Sequence, residues 1–239
     1  MSSVYVGANL SVTVGTPGNS TRFTVETSNW NYHGTVTYGS PVVVYLPPDL
    51  QISESDYSNR QKAVHVYSQS REKIFVLAES FVKSTHTVFP SYPHQPIEGL
   101  FLYEYSVMSA GDLSNDFQSE FLLVGCEDNT VISIVPSQNI SLPVDPQLPD
   151  SSMSDAEADR VSHQFILNRM QTLLILSEDD LTGSLVVSNR PLTVISGHEC
   201  VQSLTSFYCS CSNCVPLVLQ VHPKPTWGTQ FFDEFWTNT

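Results

Sequence analysis

Four of the five cysteines fall in one short stretch, at Cys200, Cys209, Cys211 and Cys214. Two kinds of chemistry suit that spacing. Cys211 and Cys214 form one half of a CxxC zinc knuckle, with Cys209 nearby and Cys200 or His198 available for a second half. In an oxidising compartment the same residues form disulfides, which is the simpler reading. Five cysteines leave one odd and allow 5 × 3 = 15 pairings with one free thiol, so connectivity stays open. Cys200 with Cys209 would close a ten-residue loop. Cys126, at the end of Val124-Gly125-Cys126, reads as a buried thiol, with a link to the cluster or to another chain as alternatives.

The second place where chemistry is conceivable is Ser196-Gly197-His198-Glu199, a hydroxyl, an imidazole and a carboxylate close in sequence. A catalytic triad is defined by space and roles rather than adjacency, and the bland alternative is a strand end entering a loop. The acidic pairs Glu127-Asp128 and Glu178-Asp179-Asp180 do not suit two-carboxylate catalysis, because neighbours on a strand point to opposite faces. Neither GxSxG nor HExxH occurs, and the seven histidines are scattered. Asp150, Asp155, Glu157 and Asp159 cluster without the glycine and spacing of a calcium loop. The chain therefore reads as non-enzymatic and without a cofactor. A β-rich hydrolase using the His198 region and a zinc-binding module at Cys209–Cys214 stand as alternatives.

Composition narrows the partners. Only 14% of residues are charged and the net charge is −14. Without a basic stripe, nucleic acid and anionic membrane surfaces are disfavoured. No apolar run reaches the roughly 18 residues of a membrane span. The start lacks the basic and apolar regions of a signal peptide. Yet the cysteine cluster and the acceptor sequons at Asn9, Asn19 and Asn139 point to an exported, glycosylated chain. It stops at TWGTQFFDEFWTNT, inside the opening of a further strand, and both ends read as cut from a longer polypeptide.

The elements that must position these residues are strands. Period-two alternation of β-branched and aromatic residues recurs throughout and predicts an all-β fold. Val42-Val43-Val44-Tyr45-Leu46 is continuous, as in a strand buried on both faces. Residues 143–161 hold three prolines and five acidic residues and read as an acidic surface insertion with a short helical turn over 154–160. A strand–turn–strand pattern occurs twice, as VHVYSQSREKIFVLAES at 64–80 and LVVSNRPLTVISGHE at 185–199. Upstream, Arg22-Phe23-Thr24-Val25 echoes Glu120-Phe121-Leu122-Leu123-Val124 at an offset of 121 − 23 = 98 residues. That suggests tandem β-sandwich modules of about 100 residues each. The boundaries read as 1–108, then 109–225 with a cysteine-rich loop, then 226–239 as the start of a third module.

Residues 180–232 carry a more specific pattern. It runs Asp180-Leu181-Thr182-Gly183, a strand, Ser188-Asn189 with Pro191, a second strand, Ser196-Gly197-His198 with Cys200, then Cys209, and finally Thr226-Trp227-Gly228. This order resembles the N-terminal domain of the IgGFc-binding protein family. The resemblance is clear over roughly 120–232. It implies an extracellular, non-enzymatic binding or structural module in adhesion or mucus-matrix association. The implied partners are protein or glycoprotein ligands and neighbouring domains of a longer polypeptide. Within it Asp180, Gly183, Asn189, Pro191, Gly197, His198, Trp227 and Gly228 take structural roles. A strand is expected to end at Gly197, Cys200 to tie down the loop that follows, and Trp227 to anchor the next module by its buried ring. After Cys209 the chain departs from the family pattern, with two extra cysteines and the apolar run VPLVLQV.

Overall fold

The computed structural model describes residues 9–52, 61–70, 72–82, 85–94, 97–110, 118–137, 140, 142, 152–155, 160–202 and 214–228. They form an all-β fold of antiparallel sheets with two short 3₁₀ turns, Pro48–Leu50 and Lys224–Thr226.

The first half supplies β1 (Asn9–Gly15), β2 (Ser20–Glu26), β3 (Asn31–Thr37), β4 (Val42–Tyr45), β5 (His65–Ser68), β6 (Phe75–Val82) and β7 (Thr85–Ser91). The second supplies β8 (Tyr103–Ser106), β9 (Ser119–Gly125), β10 (Thr130–Val135), β11 (Ser152–Asp155), β12 (Arg160–Leu167), β13 (Thr172–Ser177), β14 (Leu185–Ser188), β15 (Leu192–Gln202) and β16 (Cys214–Val221). In the first half the sheets are ordered β4-β1-β6-β7 and β3-β2-β5. In the second they are β13-β9-β15-β16 and β11-β12-β10-β14-β8. Each half buries one apolar cluster drawn from its own two sheets, centred on Val14, Phe23 and Val25 in the first and on Leu123, Ile132 and Ile134 in the second. Alternation along each strand sends these side chains inward and leaves polar neighbours outside.

The two orders coincide strand for strand: β1 with β9, β2 with β10, β3 with β12, β4 with β13, β5 with β14, β6 with β15 and β7 with β16. β8 and β11 are additions at the two ends of one sheet. Register agrees as well. Val12 lies opposite Val44 and Ala78, and Phe121 lies opposite Ile175 and Ser196, so the two positions correspond at 121 − 12 = 109. The turn after β5 recurs after β14: Ser68 Oγ donates to Ser70 O (2.8 Å) and Ser188 Oγ to Arg190 O (2.6 Å). The next amide also bonds alike, Gln69 N to Arg22 O (2.9 Å) and Asn189 N to Val131 O (3.2 Å). One inner pair has its volumes exchanged. Phe23 faces Gly34, whereas its counterpart Ile132 faces Phe165.

The structure corrects several expectations. Arg22–Val25 lies in β2, whose counterpart is β10, while Glu120–Val124 lies in β9, whose counterpart is β1. The offset of 98 thus slides the echo onto the wrong strand of a hairpin, which apolar alternation permits because both strands carry it. Val43 is exposed while Val44 is buried, so β4 is a half-buried edge strand of its sheet rather than one covered on both faces. Ser152–Asp155 is a strand that pairs with β12 as far as Asp155 opposite Arg160, not part of a helical turn. The rest of the acidic insertion lies outside the described residues. Finally, β15 does not stop at Gly197 but continues to Gln202, with a bulge between His198 and Val201, because β16 supplies a partner that the sequence pattern did not reveal.

Candidate functional site

The segment that carries the family pattern folds as turns and a central strand. Asp180 Oδ1 accepts from Thr182 N (2.9 Å), and Gly183 takes φ +87°, the left-handed conformation glycine tolerates. Between them Leu181 is fully buried, its amide donating to Ser119 Oγ (3.0 Å). Asn189 Oδ1 accepts from Val131 N (2.9 Å), pinning the Asn189-Arg190-Pro191 turn to β10. Gly197 is needed for close approach rather than for its φ, because a Cβ there would sit 1.9 Å from Leu217 O.

Ser196 and His198 lie on the same face of β15, two residues apart. His198 is 1% exposed. The Ser196 hydroxyl donates to Met108 O (2.6 Å). His198 is thus packed into the sandwich, while Ser196 borders the cleft described below with its hydroxyl committed to a backbone carbonyl. Trp227 is 49% exposed and donates from Nε1 to His222 O (2.9 Å), so within the described residues its ring is half-buried rather than sealed in. Gly228 follows it on the surface.

Cys126 carries a free, half-buried thiol near Thr193 Oγ1 (3.6 Å), and burial pushes its pKa up. That makes it a weak nucleophile. The β15–β16 pairing brings Gln202 opposite Cys214, and Cys200 lies just before Gln202 on the same strand. Cys209 and Cys211 lie outside the described residues, as does Asn139. Asn9 and Asn19 are exposed, at the start of β1 and in the turn before β2. Among the described residues no group of three His, Cys, Asp or Glu is placed to hold a metal, and no helix is long and apolar enough to cross a membrane.

What sequence reasoning missed lies between the halves. A cleft of about 240 Å³ is lined by Leu10, Ile52 and Phe89 on one side and Leu122, Leu174 and Ile195 on the other. Close by, the rings of Tyr92 and His222 meet at 4.2 Å, and Tyr92 N donates to Gln220 Oε1 (2.7 Å). A charged contact also joins the halves. Glu26 accepts from Arg169 Nη2 (2.6 Å) and pairs with His65 Nδ1 (2.9 Å). Hydrogen bonding from His65 foremost, with Arg169 adding to it against the opposing effect of burial, holds the Glu26 carboxyl below its ordinary range. A lowered folded-state value means that Glu26 stabilises the fold fully above pH 4.5, and that this contribution is lost as the pH falls through the lowered value. Glu26→Gln is therefore expected to flatten the acid limb of a stability-against-pH curve, read by denaturant unfolding at successive pH values. An unchanged slope would show that the contact contributes nothing.

The family model described as IgGFc binding protein matches residues 95–233, more than half of the 239-residue chain. The chain belongs to the IgGFc-binding family. The matched span starts ahead of β8 and covers every strand of the second half. The family is one of extracellular binding modules. No curated protein and no solved structure matches the chain.

Proposed function

We propose that this chain is a non-enzymatic binding and structural unit of an extracellular protein, built as tandem β-sandwiches and serving in adhesion or mucus-matrix association. Its partners are protein or glycoprotein ligands and neighbouring domains of a longer polypeptide. The observation that carries this reading is the recurrence of one pairing order and one inner register in both halves, with the family match on the second. The burial of His198 and the bond from Ser196 to Met108 favour this over the hydrolase reading.

We draw the boundary between modules nearer residue 95 than 108, because β8 pairs with β14 and the family match begins at residue 95. The second module then runs to about 225, and residues 226–239 open a third. Cys200, Cys209, Cys211 and Cys214 are assigned to disulfides of a loop at the β15–β16 end. Asn9, Asn19 and Asn139 are assigned to glycosylation.

The test is mass spectrometry of material secreted from animal cells, with and without reduction. Linked cysteines within 200–214 and glycan on at least one of the three asparagines are expected. Fully free thiols with unmodified asparagines would overturn the extracellular assignment. Stoichiometric zinc in protein purified without reductant would favour the metal-binding alternative.

A further inference from the structure

Among the differences between the two halves, one lies at the outer edge of β14 and its counterpart β5. In the second half the outer edge of β14 is covered by β8, four residues in register from Leu185 opposite Ser106 to Ser188 opposite Tyr103. The chain then continues past Val107, whose amide donates to Ser184 O (2.9 Å), and into the end of the sandwich. There Ser109 Oγ sits 2.6 Å from Ser119 Oγ and donates to Gly197 O, and Met108 O receives the Ser196 hydroxyl. One continuous segment, 103–109, thus covers an edge and closes an end.

In the first half the counterpart of β14 is β5. It ends its sheet, with no strand beyond it among the described residues. Gln69 N donates to Arg22 O (2.9 Å), and antiparallel bonding alternates. Tyr67 and His65 therefore bond to β2, while the amides of Val66 and Ser68 point to the uncovered edge. Ser119 corresponds to Leu10 and His198 to Ser80, and both Leu10 and Ser80 line the 240 Å³ cleft. Among the described residues, the edge that a single strand covers in the second half is unpaired in the first, and the corresponding sandwich end borders the cleft.

We propose that β5 and the adjoining cleft form an acceptor site for an extended peptide segment of the β8 type, supplied by another unit of this family. Its chemistry follows from what β8 does in place. A tyrosine opposite Val66 would occupy the position of Tyr105, whose hydroxyl donates to Leu192 O (3.1 Å) and accepts from Leu192 N (2.9 Å) across the sandwich edge. A small hydroxyl residue three or four positions later would enter the cleft, as Ser109 enters the end of the second half. Recognition is main-chain pairing at a sheet edge, with alternate side chains supplying selectivity. The proposal rests on the tandem reading for the correspondence of positions, but its test is separate from the test of that reading.

The probe is a synthetic peptide of residues 100–110, LFLYEYSVMSA, added to the full chain. Saturable binding at concentrations up to about 1 mM, with new hydrogen-exchange protection at Val66 and Ser68 and none lost at β14, is the expected result. Tyr105 bonds toward its partner strand and Glu104 away from it, by the alternation that Val107 sets. N-methylation at the Tyr105 amide should thus weaken binding by about tenfold or more, and the same change at Glu104 should leave it nearly unaffected. No binding, equal loss from both methylations, or protection confined to other strands would overturn the proposal. A concentration-dependent dimer of the chain alone that protects the same two amides would overturn it in favour of β5-to-β5 pairing. Free thiols in the secreted protein would undermine the extracellular reading without touching this one.

Discussion

Replacing Gly197 by alanine is expected to unfold the second half at a temperature well below that of the parent chain. The added methyl would lie 1.9 Å from Leu217 O and 2.9 Å from Leu217 C. Both are backbone atoms of β16, the strand bonded to β15 at this point, so no rotamer change relieves the overlap. Either β15 or β16 must move, and β15 is held on its other side by β9. Overpacking of this kind costs about 3 kcal/mol, which for a unit of this size lowers the melting temperature by roughly 6–12 °C. Differential scanning calorimetry resolves the two halves if they melt separately, and the loss belongs to the upper or lower transition as a whole. A change of less than about 0.5 kcal/mol would mean that β16 does not approach as described.

The second large effect is a compensation. Gly34→Phe alone places a ring where a Cβ already meets Phe23 Cζ at 2.7 Å, and should cost about 3 kcal/mol or more. Phe23→Ile alone removes volume from a fully buried site and should cost about 1–2 kcal/mol. Together they recreate the Ile132 and Phe165 pair of the second half. The double variant should be more stable than the sum of the single losses by about 2 kcal/mol. Tyr32 Cε1 lies as close to Gly34 as Phe23 does, so recovery is expected to be incomplete. Denaturant unfolding of the four chains measures the coupling. Strict additivity would show that the two positions do not share space.

Much of this fold was legible from residues. Alternation announced an all-β chain, and the paired turns after β5 and β14 announced themselves through Ser68-Gln69-Ser70 and Ser188-Asn189-Arg190. β16 escaped because Cys214–Val221 is a continuous apolar run beside a cysteine cluster, where loop chemistry dominates the pattern. The strand correspondence escaped in its upstream part because β1 and β2 share one alternation, and only pairing distinguishes them. Of the residues in the family pattern, Leu181, Ser196 and His198 are buried, whereas Trp227 is half exposed. The Glu26–Arg169 contact joins residues 143 apart in the chain, and the cleft joins segments of both halves, so no local spacing could have announced either.

The exchanged volumes at Phe23–Gly34 and Ile132–Phe165 bear on how such a chain reaches its native state. Two neighbouring stretches with the same pairing order can exchange strands during folding, and a hybrid sheet is then a kinetic trap. Here a crossed sheet pairs Phe23 with Phe165, two rings in space for one, or Ile132 with Gly34, leaving a void. Both mistakes are penalised while both correct pairings are filled. The mismatch makes each half's own pairing better packed than a crossed one.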